Sequence, residues 1–301
     1  MGFVTPLKWR NIIYLTLTHV IVLTWLGSYL FMGRLPKWQT LIYSFLMYEM
    51  GSLGVTAGVH RYWTHRSYKA SLPLQWVLAI WFSMSGQNTI KDWVRDHRVH
   101  HKFSETSADP HDATRGFFFA HVGWLMMMKH PDVIREGRKV AMNDFINDPL
   151  VQFHTKYFNV FKLVFCFILP IATPPPLWAE SWDQAMLCRF FVAFVAILHT
   201  AWAVNSFAHI WGNRPYDPNI NPTDNWMVSA FTMGEGWHNY HHTFPWDYKT
   251  SELPYFINVT TLVLDTFAII GWVTNTKQAS PEVLQTTKAR KKHFAPIGSE
   301  H

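Results

Sequence analysis

The chain has 301 residues, of which 49% are hydrophobic, 17% aromatic and only 15% charged, with a net charge of +6. Ordinary soluble domains carry about 25% charged residues, so a freely soluble enzyme is excluded, and the 16 Trp and 23 Phe suit aromatic belts at a bilayer surface. Cys166 and Cys188 make no CxxC pair, which excludes a disulfide framework or zinc ribbon, and basic residues scattered among apolar runs favour anionic headgroups or phosphate-bearing substrates over nucleic acid.

Residues 11–31 hold no acid or base besides His19 and lie between Lys8 and Arg10 on one side and Arg34 on the other. A membrane helix needs about 20 apolar residues, so this is a first span, read as an anchor and not as a cleavable signal. LPKW (35–38) turns the chain, and residues 40–59 form a second span running into His60. Glu49 lies inside it, roughly 16 Å deeper than His60 at 1.5 Å per residue, where a charged carboxylate is expensive. The expectation is a hydrogen bond to Thr16, Thr18 or His19 of the first span; the alternative puts Tyr48 or Glu49 at the closed end of a substrate tunnel.

Residues 158–178, interrupted by Pro170, give a third span, and 184–208 a fourth, with His209 just past its end. The four spans make two hairpins with short turns at 32–39 and 179–183, so both termini and both long segments fall on one side. Lys8, Arg10, Arg61, Arg66, Lys69, Lys156 and Lys162 assign that side to the cytosol; Arg34 and Lys37 in the first turn dissent. Residues 254–273 include Asp265, and a fifth crossing there would move the basic cluster at 288–292 to the wrong side. They are expected to form an amphipathic helix on the cap. The fold class is therefore an all-α integral membrane protein. Four transmembrane helices carry a cytosolic helical cap (about 60–157 and 209–275) in one domain, 1–301, with a flexible cytosolic C-terminus from 276 to 301.

Histidines mark the membrane exits. HRVHH (97–101) and HNYHH (238–242) each place three imidazoles at i, i+3 and i+4, within an arc of about 100° on a helix. Two such walls can face one another as a metal cage. HRYWTH adds His60 and His65, whose i, i+5 offset is about 140° on an α-helix, so the helix is expected to bend or end there. His209 completes a set of nine, with Asn205 on its face one turn earlier. A zinc site takes about four ligands, so nine imidazoles point to two ions; imidazole alone does not name the metal. A histidine-rich transporter would keep its ligands in mid-membrane or in low-complexity loops, which is not the pattern here.

These three boxes, in order and with the flanking text GVTAGVHRYWTHRSYKA, KDWVRDHRVHHKFSETSADPHDATRGFFFAHVGW and GEGWHNYHHTFPWDY, resemble the membrane acyl-CoA desaturases of stearoyl-CoA desaturase type, insect members above all. The likeness runs from about Trp9 to the amphipathic segment. It implies a di-iron centre held by His60, His65, His97, His100, His101, His209, His238, His241 and His242, with a water-mediated contact from Asn205 and with Glu235, Asp109 and Glu105 as candidates to orient imidazoles. It implies acyl-CoA contacts at Asn11, Asn88, Arg95, Asp96, Lys129 and Trp202. Where many members have a basic pair, this chain has Met128 and Lys129, a loss for which a base such as Arg135 would have to compensate. The implied activity is an O2-dependent dehydrogenation that puts a cis double bond into a saturated or monounsaturated long-chain acyl-CoA. Delta-9 and delta-11 positions both remain open. The implied setting is the endoplasmic reticulum membrane. No HPGG stretch occurs, so electrons are expected from a separate cytochrome b5 and its NAD(P)H-dependent reductase. A di-iron lipid hydroxylase is the competing reading.

Overall fold

The computed structural model describes residues 5–253 and 255–292, without the side chains of 191, 192, 256 and 290–292. Among the described residues, three helices are long and apolar enough to cross a membrane: Trp9–Phe31, Phe158–Trp178 and Trp182–Ile210. The second expected span is not among them. Residues 38–64 are continuously helical, as Trp38–Leu53 followed by a π-helical stretch, Gly54–Thr64, but Thr40, Ser44, Glu49, Ser52 and Thr56 dilute its hydropathy. Its environment permits that polarity, because every residue from Gly51 to Thr64 is buried in protein. Gly54 lets the neighbouring helix Leu72–Met84 approach: a Cβ there would sit 2.1 Å from the Phe82 nitrogen.

The π-helical winding answers the question raised by His60 and His65. The helix ends as expected, at Thr64 with His65 as its capping residue, and it reaches that end in π-helical winding. The His65 N–H donates to the His60 carbonyl at 3.2 Å, and i→i+5 bonding brings residue i+5 back toward the side of residue i.

The two short turns meet. The Lys37 N–H donates to Glu180 at 2.8 Å, and its Nζ donates to the carbonyls of Trp178 and Ala179 at 2.8 Å. Arg34 lies 3.5 Å from Asp183, which also accepts from Tyr29. Of the two dissenting bases of the first turn, Arg34 thus meets an acid of the second and the Lys37 ammonium meets its carbonyls. At the opposite end Leu7 pairs with Met127, and Thr5 donates to the Met128 carbonyl at 2.6 Å. The start of the first span is therefore joined to the cap.

The cap packs behind the histidines. Val59, Trp63, Leu74, Leu78, Ile90 and Val94 share one apolar cluster, and a two-stranded antiparallel pair, Lys69–Ala70 with Val273–Thr274, ties its ends. Helix Ile90–Phe103 is capped by Thr89, whose Oγ1 accepts from Asp92 N–H at 3.0 Å. Asp224 accepts from the N–H groups of Asn239 (2.9 Å) and Tyr240 (3.1 Å), satisfying the open N-terminus of the short helix His238–Thr243. The expected amphipathic segment is the helix Val259–Ile269; at 1.5 Å per residue it is about 16 Å long, too short to cross. Its Asp265 accepts from Tyr248 (2.9 Å) and Tyr255 (2.8 Å).

Part of the C-terminal segment is helical. Residues 281–292 form a helix with Ser280 at its start, whose Oγ accepts from Val283 N–H at 3.3 Å. Leu284 packs on Tyr216, Tyr240 and Phe244, and Lys288 pairs with Glu252 at 2.6 Å. The remainder of the expected flexible tail, 293–301, lies outside the described residues.

Candidate metal centre

All nine histidines singled out by spacing come together. His60, His65, His97, His101 and His241 form one group and His100, His209, His238 and His242 a second, with one ring nitrogen per residue within 4.8 Å of the others in its group. Helix Ile90–Phe103 serves both groups: residues 97 and 101, four apart, face the first, and His100 the second. In the first group, Nε2 of His241 lies 2.9 Å from that of His60 and 3.0 Å from that of His101, which is 3.1 Å from His97. In the second, His238 Nε2 lies 3.0 Å from His209 and 3.1 Å from His242.

These separations fit a metal. Nitrogens about 2.1 Å from one ion stand about 3.0 Å apart at right angles and about 3.4 Å apart in a tetrahedron. The shorter value matches a coordination number above four, as does a group of five imidazoles. His65 Nε2 and His100 Nε2 are buried with no hydrogen-bond partner, a costly state that coordination would relieve.

Three carboxylates aim the rings. Glu235 accepts from His60 Nδ1 at 2.8 Å, Asp109 from His100 Nδ1 at 2.9 Å and Glu105 from His209 Nδ1 at 2.6 Å. A proton held on Nδ1 leaves the Nε2 lone pair free to point inward, and the negative charge behind raises its basicity. Burial alone would push the Asp109 carboxyl up; charge interaction with His100 and His111 outweighs it and holds the group well below the usual carboxylate range. Glu235 is fully enclosed, yet Arg61 and then His60 bring it down to about 2. Burial first, and neighbouring imidazoles second, hold His65, His97, His101, His238, His241 and His242 well below 6.5. They are neutral donors at physiological pH.

A tenth imidazole was missed by counting boxes. His111 is buried, 3.6 Å from Asp109, and its ring lies 4.3 Å from that of His100. The local signal was available in DPHD, where Asp109 and His111 stand two residues apart.

A cavity of about 280 Å³ runs beside both groups, bordered by His60, His97, His111, His238 and Asn205. Four of the six expected substrate contacts, Asn11, Asn88, Asp96 and Trp202, line it. Arg95 and Lys129 do not; both reach Asp96, Arg95 at 3.4 Å and Lys129 in closer contact, while Arg95 also pairs with Asp92 at 2.9 Å. Arg135 pairs with Asp132 and, at 2.9 Å, with Glu136.

Tyr48 and Glu49, expected at the closed end of a tunnel, are not among the residues bordering this cavity, whereas Ser52, Val55, Ile197 and Thr200 are. Tyr48 instead donates to the Phe231 carbonyl at 2.7 Å. Glu49 has no hydrogen bond or ion pair among the described residues, and Thr16, Thr18 and His19 do not reach it, because the helix Trp38–Leu53 packs on Leu72–Met84 and on the Trp182–Ile210 helix. His19 turns instead to His199, at 2.9 Å.

Comparisons with known proteins agree with this geometry. The fatty acid desaturase family model matches residues 35–256. The chain is similar to an acyl-CoA delta-9 desaturase of Acheta domesticus, 46% identical over 92% of this chain and 77% of the relative. It is similar to an acyl-CoA delta(11) desaturase of Trichoplusia ni, 45% identical over 95% and 82%. Stearoyl-CoA desaturase 5 of Bos taurus is 45% identical over 96% and 85%. With a family model covering most of its length and relatives of this identity, the chain belongs to the fatty acid desaturase family.

Proposed function

We propose that the chain is an O2-dependent acyl-CoA desaturase that places a cis double bond in a long-chain acyl-CoA at a centre of two irons. The observation that carries this reading is the convergence of nine imidazoles into groups of five and four beside one cavity. When bound, two irons would supply the activation of O2 needed to remove hydrogen from unactivated methylenes. His60, His65, His97, His101 and His241 would hold one ion, and His100, His209, His238 and His242 the other, with Asn205 contacting the second through water.

The protein's own part is to hold and to exclude. Glu235, Asp109 and Glu105 keep Nδ1 protons in place, so the inward nitrogens stay unprotonated. Asn11, Asn88 and Asp96 offer polar groups where the cavity meets the cap, and Lys129 and Arg95 stand beside Asp96 for the phosphates of the acyl carrier. Val55, Ile197, Leu198 and Trp202 wall the acyl chain from water. Position decides which carbons react.

Four helices crossing the membrane, with 38–64 as the second and both ends on the cytosolic side of the endoplasmic reticulum, is the arrangement this reading adopts. The joined turns at one end and the joined N-terminal segment and cap at the other support it. Electrons would come from cytochrome b5 and its reductase, drawn to a basic chain. Expression in yeast lacking its own desaturase is the test. Unsaturated acids located by gas chromatography, with two irons per purified chain, support the proposal; hydroxy acids would favour the hydroxylase, and one metal or none would overturn it. The same chromatogram chooses between delta-9 and delta-11.

A further inference from the structure

Three histidines outside the metal centre form an unbroken string. His19 Nε2 lies 2.9 Å from His199 Nε2, His199 Nδ1 lies 3.0 Å from His121 Nε2, and His121 Nδ1 lies 2.9 Å from Ser206 Oγ. Each end closes on the main chain. His19 Nδ1 donates to the Leu15 carbonyl at 2.7 Å, and the Ser206 hydroxyl, 2.9 Å from the Trp202 carbonyl, has one hydrogen to share between that carbonyl and His121 Nδ1.

The geometry rules out two uses. A metal needs lone pairs that converge, whereas the central ring spends its two nitrogens in different directions, and these three residues are not among the converging groups. A proton conduit needs open ends, whereas backbone carbonyls accept a hydrogen bond and pass no proton on. What remains is a clasp joining the first span, the helix Trp182–Ile210 and the short cap helix Phe117–His121.

The clasp closes around Trp202. Its ring centroid is 5.2 Å from His199 at 71° and 5.8 Å from His121 at 78°, both edge-to-face, and its carbonyl lies 2.9 Å from Ser206 Oγ. Trp202 lines the cavity. Trp202, Asn205 and His209 stand at i, i+3 and i+7, one stripe of one helix. A tilt of that ring therefore shifts the cavity wall relative to the metal histidines.

We propose that His199 and His121 are positioning residues that fix the Trp202 ring and thereby set which methylenes lie beside the metal centre. The proposal rests on the desaturase reading, in which a displacement on the order of 1 Å changes the reacting position.

Two variants and two readouts test it. His199→Phe keeps an aromatic edge against Trp202 and breaks both ring hydrogen bonds; His199→Asn keeps a polar atom near the Nδ1 position, toward His121. With metal content unchanged, His199→Phe is expected to raise the ratio of misplaced to normal double bonds at least about fivefold, the factor that one of its two lost hydrogen bonds supplies, and His199→Asn to restore most of the wild-type ratio. An unchanged ratio in His199→Phe, or an equal shift in both variants, overturns the proposal. So does a fall in yield and metal content with the surviving enzyme's ratio unaltered, the mark of a merely structural role. The second readout needs no turnover. In protein grown with fluorotryptophan, the Trp202 fluorine resonance, assigned by its loss in Trp202→Phe, should shift or broaden in His199→Phe. An unmoved line sinks the clasp whatever products form, whereas a wild type that makes no unsaturated acid sinks the desaturase reading alone.

Discussion

The metal centre and the His19–His199–His121 string use one side chain in two ways. In the centre the imidazoles meet through Nε2, are enclosed in protein, and carry carboxylates behind three of them. In the string the central ring bonds through both nitrogens, no carboxylate among the described residues stands behind any member, and the ends stop at carbonyls. Contact distances do not separate the two, since neighbouring rings are about 3 Å apart in both. Direction does. Lone pairs that converge can hold an ion; nitrogens that alternate can only hold each other.

The harshest way to break this comparison is to remove a convergent ring. His241 lies within 3.0 Å of both His60 and His101, so His241→Ala should lower desaturation by more than about 100-fold and reduce the metal content of the purified protein. Full metal occupancy in that variant would show that convergence is not ligation. Removal of a string member, by contrast, should leave the metal count unchanged.

The carboxylates sharpen the contrast further. Asp109→Asn and Glu105→Gln should each lower metal affinity about 10–100-fold, read by competition with a chelator. Glu235→Gln should do more, because Glu235 also binds Arg61 Nη2 at 2.8 Å, and that guanidinium is buried. Leaving the cation without its partner is expected to cost about 3–5 kcal/mol of stability, seen as early thermal unfolding that the other two variants do not share.

The two histidine sets also differ in how readily they can be read from the chain. The centre is legible because helical offsets of three and four put its rings on one face before any tertiary contact forms. The string's members are 180 and 78 residues apart and share no spacing, so only packing reveals them. Local chemistry hides other features too. No propensity in GVHRYWTH announces a π-helix, yet that winding is what carries His65 back beside His60. Which residues border the cavity depends on the rotation of 38–64 against its neighbours, and Ser52 and Val55 border it where Tyr48 and Glu49 do not. The helix after Ser280 is a different case. Serine followed by proline is a recognised helix start, and it was legible in the chain.

His154 belongs to neither set, and it yields the smallest effect. It is buried on the helix Pro149–Lys156 among the rings of Phe82, Phe158 and Phe161; among the described residues its one hydrogen-bond partner is Ser83 Oγ, 3.1 Å from Nε2, and its Nδ1 has none. Burial lowers it from 6.5 to about 4. Below pH 6.5 the unfolded chain takes up a proton that the folded protein refuses, so the unfolded state binds more protons and stability falls as pH falls, down to about pH 4. At about pH 5.5 this one ring should subtract about 1 kcal/mol. The buried imidazoles of the centre add to the same trend, so the effect is isolated by difference. Between about pH 7.5 and about pH 5.5 the wild type should lose about 2 °C more in Tm than His154→Gln, which keeps a group for Ser83 and does not titrate. An equal loss in both proteins would mean that His154 already holds a proton in the fold, and that a single buried ring without convergence, string or carboxylate can stay charged here.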